Sequence, residues 1–384
     1  MRRILFIFFI FTFLLSSINI NLGSDVTIHI YHLFIPFIVY YLLFKFNEFN
    51  KIIAFELFFI MLYFYLAVTL LWANDSFLAM KLIFLELILI VAYFYIRLEL
   101  QQFSIKQIEN FIYKVGKFYI IISLILYALG LYIYHTQPIP NESFYFGLMQ
   151  ESILPRLKGM TSSPNEYIPY GLFFLVYFMS FNNIKFILLT LITIVLSFST
   201  TGMFIAFIII TIYYCNKITL KGILIFIILI LTIIILYYFY IQSNQNIMEM
   251  IELRIQRNKS GTGRFELWEY SFNLINDNIF GYGINQTRLL IHDFHALNSV
   301  HNNIVEVFLT GGFIGLILYL LFLIMLFFQS LKIWIMNNDI KIFLLFIIFV
   351  LIGIANNTLH IGYNILYLAL LFRYSIQKKE KYAN

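Results

Sequence analysis

The chain has 384 residues, of which 62% are hydrophobic and only 11% are charged. Soluble domains carry charge on roughly a quarter of their residues. The composition therefore excludes an ordinary soluble domain and predicts one polytopic membrane domain over residues 1–384. In such a protein the net charge of +6 reflects membrane topology, and it does not indicate nucleic-acid binding.

Apolar segments follow one another along nearly the whole chain and predict an all-α fold with about 12 transmembrane helices. Several segments are at or slightly below the roughly 20 residues that cross a bilayer. The predicted number of helices is therefore twelve, to within one or two. The predicted spans are approximately 4–20, 29–45, 52–73, 81–97, 117–135, 166–181, 185–199, 202–215, 222–241, 303–329, 342–358 and 362–376.

The basic residues predict the orientation of these spans, because Lys and Arg are retained on the cytoplasmic side of membranes. An even number of spans puts both termini on one side, and Arg2 and Arg3 assign that side to the cytoplasm. Most of the 25 basic residues then fall in inner segments. The two longest polar loops, roughly 136–165 and 242–302, face outward.

These two outer loops nevertheless contain seven basic residues, which are normally kept off that face. They are Arg156, Lys158, Arg254, Arg257, Lys259, Arg264 and Arg288. An anionic ligand handled outside the cytoplasm, such as a lipid diphosphate, would explain the cluster. In the first loop, Asn165 adds an amide suited to sugars or phosphates, although an ordinary polar connector has the same composition.

The larger loop contains a predicted amphipathic helix that begins at Arg264. Apolar residues recur at spacings of three and four, which is one face of an α-helix, and Gly281 and Gly283 are suitable stop signals. The apolar face consists of Phe265, Trp268, Phe272, Ile275 and Ile279. We expect this helix to lie in the outer interface with its aromatic face towards lipid. Arg264 in its first turn favours an anion, or else contacts lipid headgroups.

Three histidines follow this helix within ten residues. His292 and His295 are spaced as a metal pair, but no carboxylate signature lies nearby, so we expect no metal. His301 starts a polar HNN at the head of a span, with Glu306 one turn further on. A histidine at such a boundary is expected to titrate near neutrality and to take a proton from a sugar hydroxyl. The alternative is an interfacial histidine bonded to a neighbouring loop.

Two further patterns restrict the chemistry. The STTG sequence at 199–202 is too short for a free loop and predicts either a tight outer turn or a break inside the membrane. The chain has no Walker A, G-x-G-x-x-G or D-x-D motif. Nucleotide hydrolysis and metal-bridged nucleotide-sugar donors are therefore not expected, and no cofactor is expected. Glycines 311, 312 and 315 predict close helix packing.

These segments, in this order, resemble the O-antigen ligase and O-antigen polymerase superfamily. GRFELW (263–268) is similar to a Gly-Arg-x-x-x-Trp element, and RLKGMTSSPN (156–165) to an Arg-x-x-Gly…Pro-Asn element. His301, Asn302, Gly312 and Gly315 fit a His-Asn, nine residues, Gly, two residues, Gly pattern. The resemblance covers roughly residues 155–330. It implies a GT-C-like membrane glycosyltransferase acting on lipid-diphosphate-linked glycans, with 242–302 as a periplasmic loop of the bacterial inner membrane.

The resemblance also implies roles for individual residues and partners. Arg264 and His301 would be catalytic, and the substrate-binding residues would be Arg156, Lys158, Asn165, Arg288, Asn302 and Glu306. Undecaprenyl-diphosphate-linked oligosaccharide and membrane lipids are the implied partners, and a chain-length regulator protein is a candidate. The chemistry needs neither metal nor cofactor, because the diphosphate is already a good leaving group.

One departure favours a polymerase over a ligase. Ligases of the family usually carry a Ser-Arg or Thr-Arg pair where this chain has STTG, so Thr200 or Thr201 stands in place of the Arg. Arg156 is a candidate to replace that charge. The alternatives are a ligase that transfers finished polymer to lipid A core, and a transporter or flippase that binds the same anions without chemistry. Against a transporter, few ionisable groups lie in the spans, and only Glu86 lies deep.

Overall fold

A computed structural model describes residues 6–7, 9–10, 12, 14, 19–21, 27–49, 51–136, 144–151, 154–217, 264–291, 300–356, 359 and 362–381. Over these residues the protein is mainly helical. Its α-helices are α1 (Ile35–Phe44), α2 (Ala54–Val68), α3 (Ser76–Leu100), α4 (Ile105–Thr136), α5 (Pro164–Ser180), α6 (Ile184–Leu196), α7 (Thr200–Lys217), α8 (Arg264–Asp277), α9 (Thr287–Ile291), α10 (Asn303–Asn337), α11 (Lys341–Ala355) and α12 (Gly362–Lys381).

Among the described residues, four helices are long and apolar enough to cross a membrane. They are Ala54–Trp72, Ser76–Leu100, Ile105–Thr136 and Asn303–Asn337, and shorter apolar helices are Ile30–Phe44, Ile184–Leu196, Thr200–Asn216 and Lys341–Ala355. Ten of the predicted spans, all except 4–20 and 222–241, overlap a helix over most of their length. Span 222–241 lies outside the described residues. The apolar helices are those of a polytopic membrane protein, and the number twelve stays a prediction.

The loops add two small antiparallel sheets that an all-α prediction does not include. One pairs β1 (Asn19–Asn21) with β2 (Thr27–His29); the other has the order β3 (Phe144–Tyr145), β4 (Leu148–Glu151), β5 (Leu154–Leu157). Loop backbone that packs on a bundle must have its hydrogen bonds satisfied locally, and a short hairpin achieves this. The second sheet carries Arg156 on β5, opposite Met149.

The described helices pack around a large apolar core, with α10 against α2 and α11, and α12 against α3. A second, smaller cluster of apolar side chains lies apart from this core. It joins α8 and α9 to the first turns of α10, through Leu267, Ile275, Ile291, Val300, Val305, Phe308 and Leu309. The described part of the loop 242–302 is therefore packed onto the bundle through its own apolar contacts.

Buried ion pairs identify one of the two ends of the bundle. At the start of α2 and the end of α3, Glu56 pairs with Arg97 at 2.6 Å, and both side chains are 1% exposed. Lys341 at the start of α11 pairs with Glu109 near the start of α4. We call this end, which the charge pattern predicts to be cytoplasmic, the Arg97 end. The opposite end, where α2 and α11 finish and α3 begins, is called the His301 end.

Candidate active site

Helix α10 is interrupted near its beginning, at Gly312, which has φ 58° and ψ −154°. The interruption frees backbone carbonyls that the loop before α9 satisfies. The N–H groups of Tyr282 and Gly283 donate to the carbonyls of Leu309 and Thr310 at 2.8 and 3.0 Å. A Cβ at position 312 would lie 2.0 Å from the carbonyl oxygen of Ile279, so only glycine fits.

The expectation that these glycines mark close helix packing is confirmed at Gly311 and corrected at Gly312. Gly311 packs closely on the Tyr65 ring, where an added Cβ would lie 2.9 Å from the nearest ring atom, as the close-packing interpretation predicts. Gly312 has a different role, because it breaks the helix instead of packing within it. The spacing of the glycines gives no sign of this, since positive φ depends on the loop that fills the break.

The segment before Gly312 turns back along the helix that follows it. The side chains of Asn303 and Tyr319 share a hydrogen bond, although 16 residues of continuous helix would separate them by about 24 Å. A Cβ at Gly315 would likewise contact the carbonyl oxygen of Val307, at 3.2 Å. His301 precedes this segment. It therefore lies away from the break, on the side of the part of α10 that follows Gly312.

Helix α8 forms as predicted, but only part of its predicted apolar face is packed. Leu267, Ser271 and Ile275, at spacings of four, are buried in the described structure. Phe265 and Phe272 on the neighbouring face are 65% and 47% exposed. The exposed aromatic rings agree with the predicted contact with lipid, which stays a prediction. The buried stripe instead fixes the helix against α10.

Two hydrogen bonds fix the arginine and the tryptophan of the GRFELW element at the site. The indole Nε1 of Trp268 donates to the carbonyl of Val300, the residue before His301, at 2.8 Å. Nη1 of Arg264 donates to the carbonyl of Ala355, the last residue of α11, at 2.7 Å. Trp268 therefore links the GRFELW element to the residue just before the motif that begins at His301.

Arg264 and His301 are close enough for the charge of one to act on the other. His301 is partly buried, and burial together with the Arg264 charge lowers its pKa from 6.5 to about 4. The expected titration near neutrality is therefore wrong. At neutral pH the imidazole is uncharged and able to accept a proton.

The hydrogen-bond partner of Arg264 is a neutral carbonyl. The guanidinium is partly buried, and burial lowers its pKa. Within the part of the chain that the structure describes, Arg264 has no carboxylate partner. A buried cation without a counter-charge favours binding of an anion.

Asn302 and Glu306 lie at the start of α10 and make contacts within the protein. The Asn302 side chain caps the helix, accepting hydrogen bonds from the N–H groups of Ile304 and Val305 at 2.9 and 3.3 Å. Oε1 of Glu306 accepts from the Thr287 hydroxyl at 2.7 Å, which ties α9 to α10. Their predicted contact with substrate stays a prediction.

A second basic group forms around Arg156, also at the His301 end. Its Nε donates to the carbonyl of Ser197 at 2.9 Å, and its Nη2 lies 3.5 Å from Oδ1 of Asn165. Ser197 belongs to the turn between α6 and α7, where Phe198 has φ 50°. A tight turn is therefore present, but it occupies residues 197–199, and Thr200, Thr201 and Gly202 of STTG already belong to α7. Arg156 reaches this turn, and the predicted outer position of the turn stays a prediction.

Lys158 lies in the same group but has an acidic neighbour. The carboxylate of Glu166 raises the pKa of Lys158, while burial, the larger effect, lowers it. Glu166 also accepts from the N–H of Ser162 at 3.3 Å, and Ser163 caps α5 by accepting from the N–H of Glu166 at 3.3 Å. The charge of Lys158 is therefore partly balanced, in contrast to that of Arg264.

For the remaining predicted site residues, the structure shows few contacts or does not describe the residue. Arg288 is exposed on the short helix α9, next to the Thr287 that binds Glu306. Arg254, Arg257, Lys259, His292 and His295 lie outside the described residues. A common cavity for Arg156, Arg264 and His301 stays a prediction, because their contacts form two groups held by different helices.

Sequence reasoning missed several groups that build the site. The carbonyls of Ala355 and Ser197 accept hydrogen bonds from Arg264 and Arg156, respectively. No side-chain motif could have indicated a backbone acceptor. Thr287 and Tyr319 could be read only as ordinary helix residues. The one available signal was Gly353, an isolated glycine near the end of an apolar span, which indicates close approach of another segment.

Comparison with known proteins supports the resemblance. Residues 186–320 match the family model described as O-antigen ligase. This stretch runs from α6 into α10 and includes Arg264, Arg288, His301, Asn302 and Glu306, whereas Arg156, Lys158 and Asn165 precede it. The predicted resemblance to the O-antigen ligase and polymerase superfamily is thus confirmed over these residues. No curated protein matches the chain.

A solved chain from work titled "Structural coordination of polymerization and crosslinking by a peptidoglycan synthase complex" is also similar. It is 11% identical, with a TM-score of 0.49, over 88% of this chain and 100% of the other. A similarity of this size carries no conclusion here. The family match and the apolar helices indicate a membrane-embedded protein that is similar to the O-antigen ligase family over residues 186–320. Members of that family are glycosyltransferase-like enzymes, and the match fits ligases and polymerases equally.

Proposed function

We propose that this protein is a metal-independent polysaccharide polymerase of the bacterial inner membrane. It joins undecaprenyl-diphosphate-linked oligosaccharide repeat units at the periplasmic face, with the growing chain as donor and a new lipid-linked repeat as acceptor. The main support is the pairing of Arg264, a cation with no described counter-charge, with a neutral His301. The family match over residues 186–320 supports the reaction class.

The reaction follows from the charges of these two groups. The acceptor hydroxyl oxygen attacks the anomeric carbon of the donor, the bond from that carbon to the diphosphate breaks, and the polyprenyl diphosphate leaves with the electron pair. His301 takes the hydroxyl proton. Arg264 binds the diphosphate and stabilises the charge that develops on it.

Substrate binding also adjusts the basicity of His301. Burial and, to a smaller extent, the Arg264 charge keep the pKa of His301 low. A diphosphate bound to Arg264 balances that charge, which raises the pKa of the imidazole and makes it a stronger base. The base is therefore strengthened only when donor is present.

Arg156 is the proposed second contact for diphosphate. It is buried, and its guanidinium lies on the α6–α7 turn, bonded to the Ser197 carbonyl. In the related ligases that turn is expected to carry an Arg of its own. An arginine supplied from β5 would restore a positive charge at this turn.

A reconstitution assay tests the proposal. Purified protein in vesicles, given a synthetic polyprenyl-diphosphate repeat unit, should produce a ladder of longer glycans without added metal. His301→Ala should produce none, whereas His135→Ala, which changes an exposed histidine at the end of α4, should leave the ladder intact. A ladder from His301→Ala would contradict the assigned role.

A deletion strain separates the polymerase from its two alternatives. Loss of a polymerase leaves a single repeat on the acceptor lipid, and loss of a ligase leaves polymer on its carrier. A flippase would make no glycosidic bond in the vesicle assay. Polymer accumulating on the carrier lipid in the deletion strain would replace the polymerase by the ligase.

A further inference from the structure

His301 has a backbone conformation that needs support from its surroundings. Its φ of 51° is in the left-handed region, which is unfavourable for residues other than glycine and is kept only where neighbouring structure requires it. Asn302 then caps α10, and Asn303 is the first helical residue. The position of the imidazole therefore depends on what holds Asn303.

Asn303 is held by residues distant in sequence. Its side chain is fully buried, at 0% exposure, and shares a hydrogen bond with Tyr319, which is 2% exposed. Tyr319 lies in the part of α10 beyond the break at Gly312. This hydrogen bond therefore joins the turned-back segment to the main length of the helix.

Gly353 of α11 provides the space that the Asn303 side chain occupies. A Cβ at this position would lie 2.6 Å from Nδ2 and 3.4 Å from Cγ of Asn303, so the buried amide would have to shift. Two residues later, the Ala355 carbonyl accepts the Arg264 hydrogen bond. The last turn of α11 thus contacts both the segment that carries His301 and the side chain of Arg264.

We propose that Asn303, Tyr319 and Gly353 position His301 against Arg264. They act through His301 and need no contact with substrate, so they are positioning residues. The proposal rests on the proposed function for its activity readout, but the geometry that it concerns exists without substrate. Loss of the hydrogen bond from Tyr319 should let the turned-back segment shift and move His301 away from Arg264.

The sharpest test is Tyr319→Phe, which removes one hydroxyl and keeps the ring. A matched control is Tyr367→Phe, because the Tyr367 hydroxyl is also buried and bonds Ser330 of the same α10, at 2.9 Å, further towards the Arg97 end. We expect the turnover rate of Tyr319→Phe to fall about 10-fold or more, since small displacements of catalytic groups have large costs. Tyr367→Phe should change it less than about twofold.

A second readout does not depend on activity. The titration of His301, followed by NMR with labelled histidine and assigned by the signal lost in His301→Gln, should move towards 6.5 in Tyr319→Phe, because separation from Arg264 and greater exposure both raise its pKa. Gly353→Ala should act in the same direction. Gly171→Ala is its control, because an added Cβ there would make only ordinary contacts of 3.4 Å or more.

The possible results separate the two proposals. Unchanged titration and turnover in Tyr319→Phe, or equal losses in Tyr319→Phe and Tyr367→Phe, would overturn the positioning role while the polymerase assignment stands. Absence of any ladder from the wild-type protein would contradict the polymerase. The titration of His301 would still decide the positioning role in that case.

Discussion

The two ends of the helical bundle hold their arginines in different ways. At the Arg97 end, Arg97 forms an ion pair with Glu56 and also lies over the ring of Phe372, 3.7 Å from its centroid. At the His301 end, Arg264 is bonded to the neutral carbonyl of Ala355. Both arginines are removed from water to a considerable degree. Arg97 thus has a carboxylate partner, whereas Arg264 has none among the described residues.

This difference distinguishes a structural charge from a binding charge. A buried ion pair already satisfies both partners, so it fixes helices without attracting a ligand. A cation bonded only to carbonyls keeps most of its positive field, which a diphosphate can neutralise. Removing a charge should therefore harm folding at the Arg97 end and activity at the His301 end.

The largest effect is expected for Arg264→Ala. Loss of the cation that stabilises the leaving diphosphate should lower the polymerisation rate by about 10²–10³-fold, the cost usual for one electrostatic stabiliser. Ladder formation in vesicles measures this. Arg288→Ala, which removes an exposed arginine from the neighbouring helix α9, should cost much less. Equal losses in the two variants would show that general basic charge, and not the Arg264 geometry, matters.

Glu56→Ala should act on stability. It leaves the Arg97 guanidinium buried without its carboxylate, which usually costs about 3–5 kcal/mol. Thermal unfolding in detergent and the yield of folded protein measure this cost. Glu48→Ala is the matched control, because the Glu48–Lys45 pair is exposed and such pairs are worth at most about 1 kcal/mol. Similar melting temperatures for both variants would contradict the comparison.

Trp268→Phe tests the link between the loop helix and the His301 segment. It removes the hydrogen bond to the Val300 carbonyl and some packing, which should cost about 1–2 kcal/mol and lower turnover about 10-fold. Trp334→Phe is the control, because Trp334 packs on Phe343 near the opposite end of α10, with ring centroids 4.9 Å apart. A larger loss of turnover in the control would mean that Trp268 has no special role.

The smallest expected effect is on pH dependence. Because the pKa of His301 is lowered from 6.5 to about 4, the stability from this group is fully present above pH 6.5. It is lost progressively as the pH falls from 6.5 towards 4, since the unfolded chain then binds more protons. The free energy of unfolding, measured across this range, should fall more in wild type than in His301→Gln.

A related prediction concerns anion binding. Inorganic pyrophosphate should raise the pKa of His301, and Arg264→Ala should remove this response.

Much of the fold could be predicted from the sequence because a membrane imposes simple rules. Long apolar runs specify helices, and spans such as 81–97 and 117–135 lie within α3 and α4. Helix α8, with Arg264 in its first turn, follows from the spacing of its apolar residues. The turn predicted at STTG lies slightly earlier, at residues 197–199. The small sheets were missed, since β3 and β5 depend on pairing with β4 in the same loop.

The sequence by itself therefore determined the membrane class, the helices, and the two motifs that contain Arg264 and His301. Tertiary structure alone decided that α10 breaks at Gly312 and turns back. It also decided that the Ala355 carbonyl accepts a hydrogen bond from Arg264 and the Ser197 carbonyl one from Arg156. It also decided that His301 has a pKa of about 4 in place of the expected near-neutral value. The physical reason is that composition and periodicity report interactions within a segment. Backbone acceptors and burial depend on which distant segments come to lie against it.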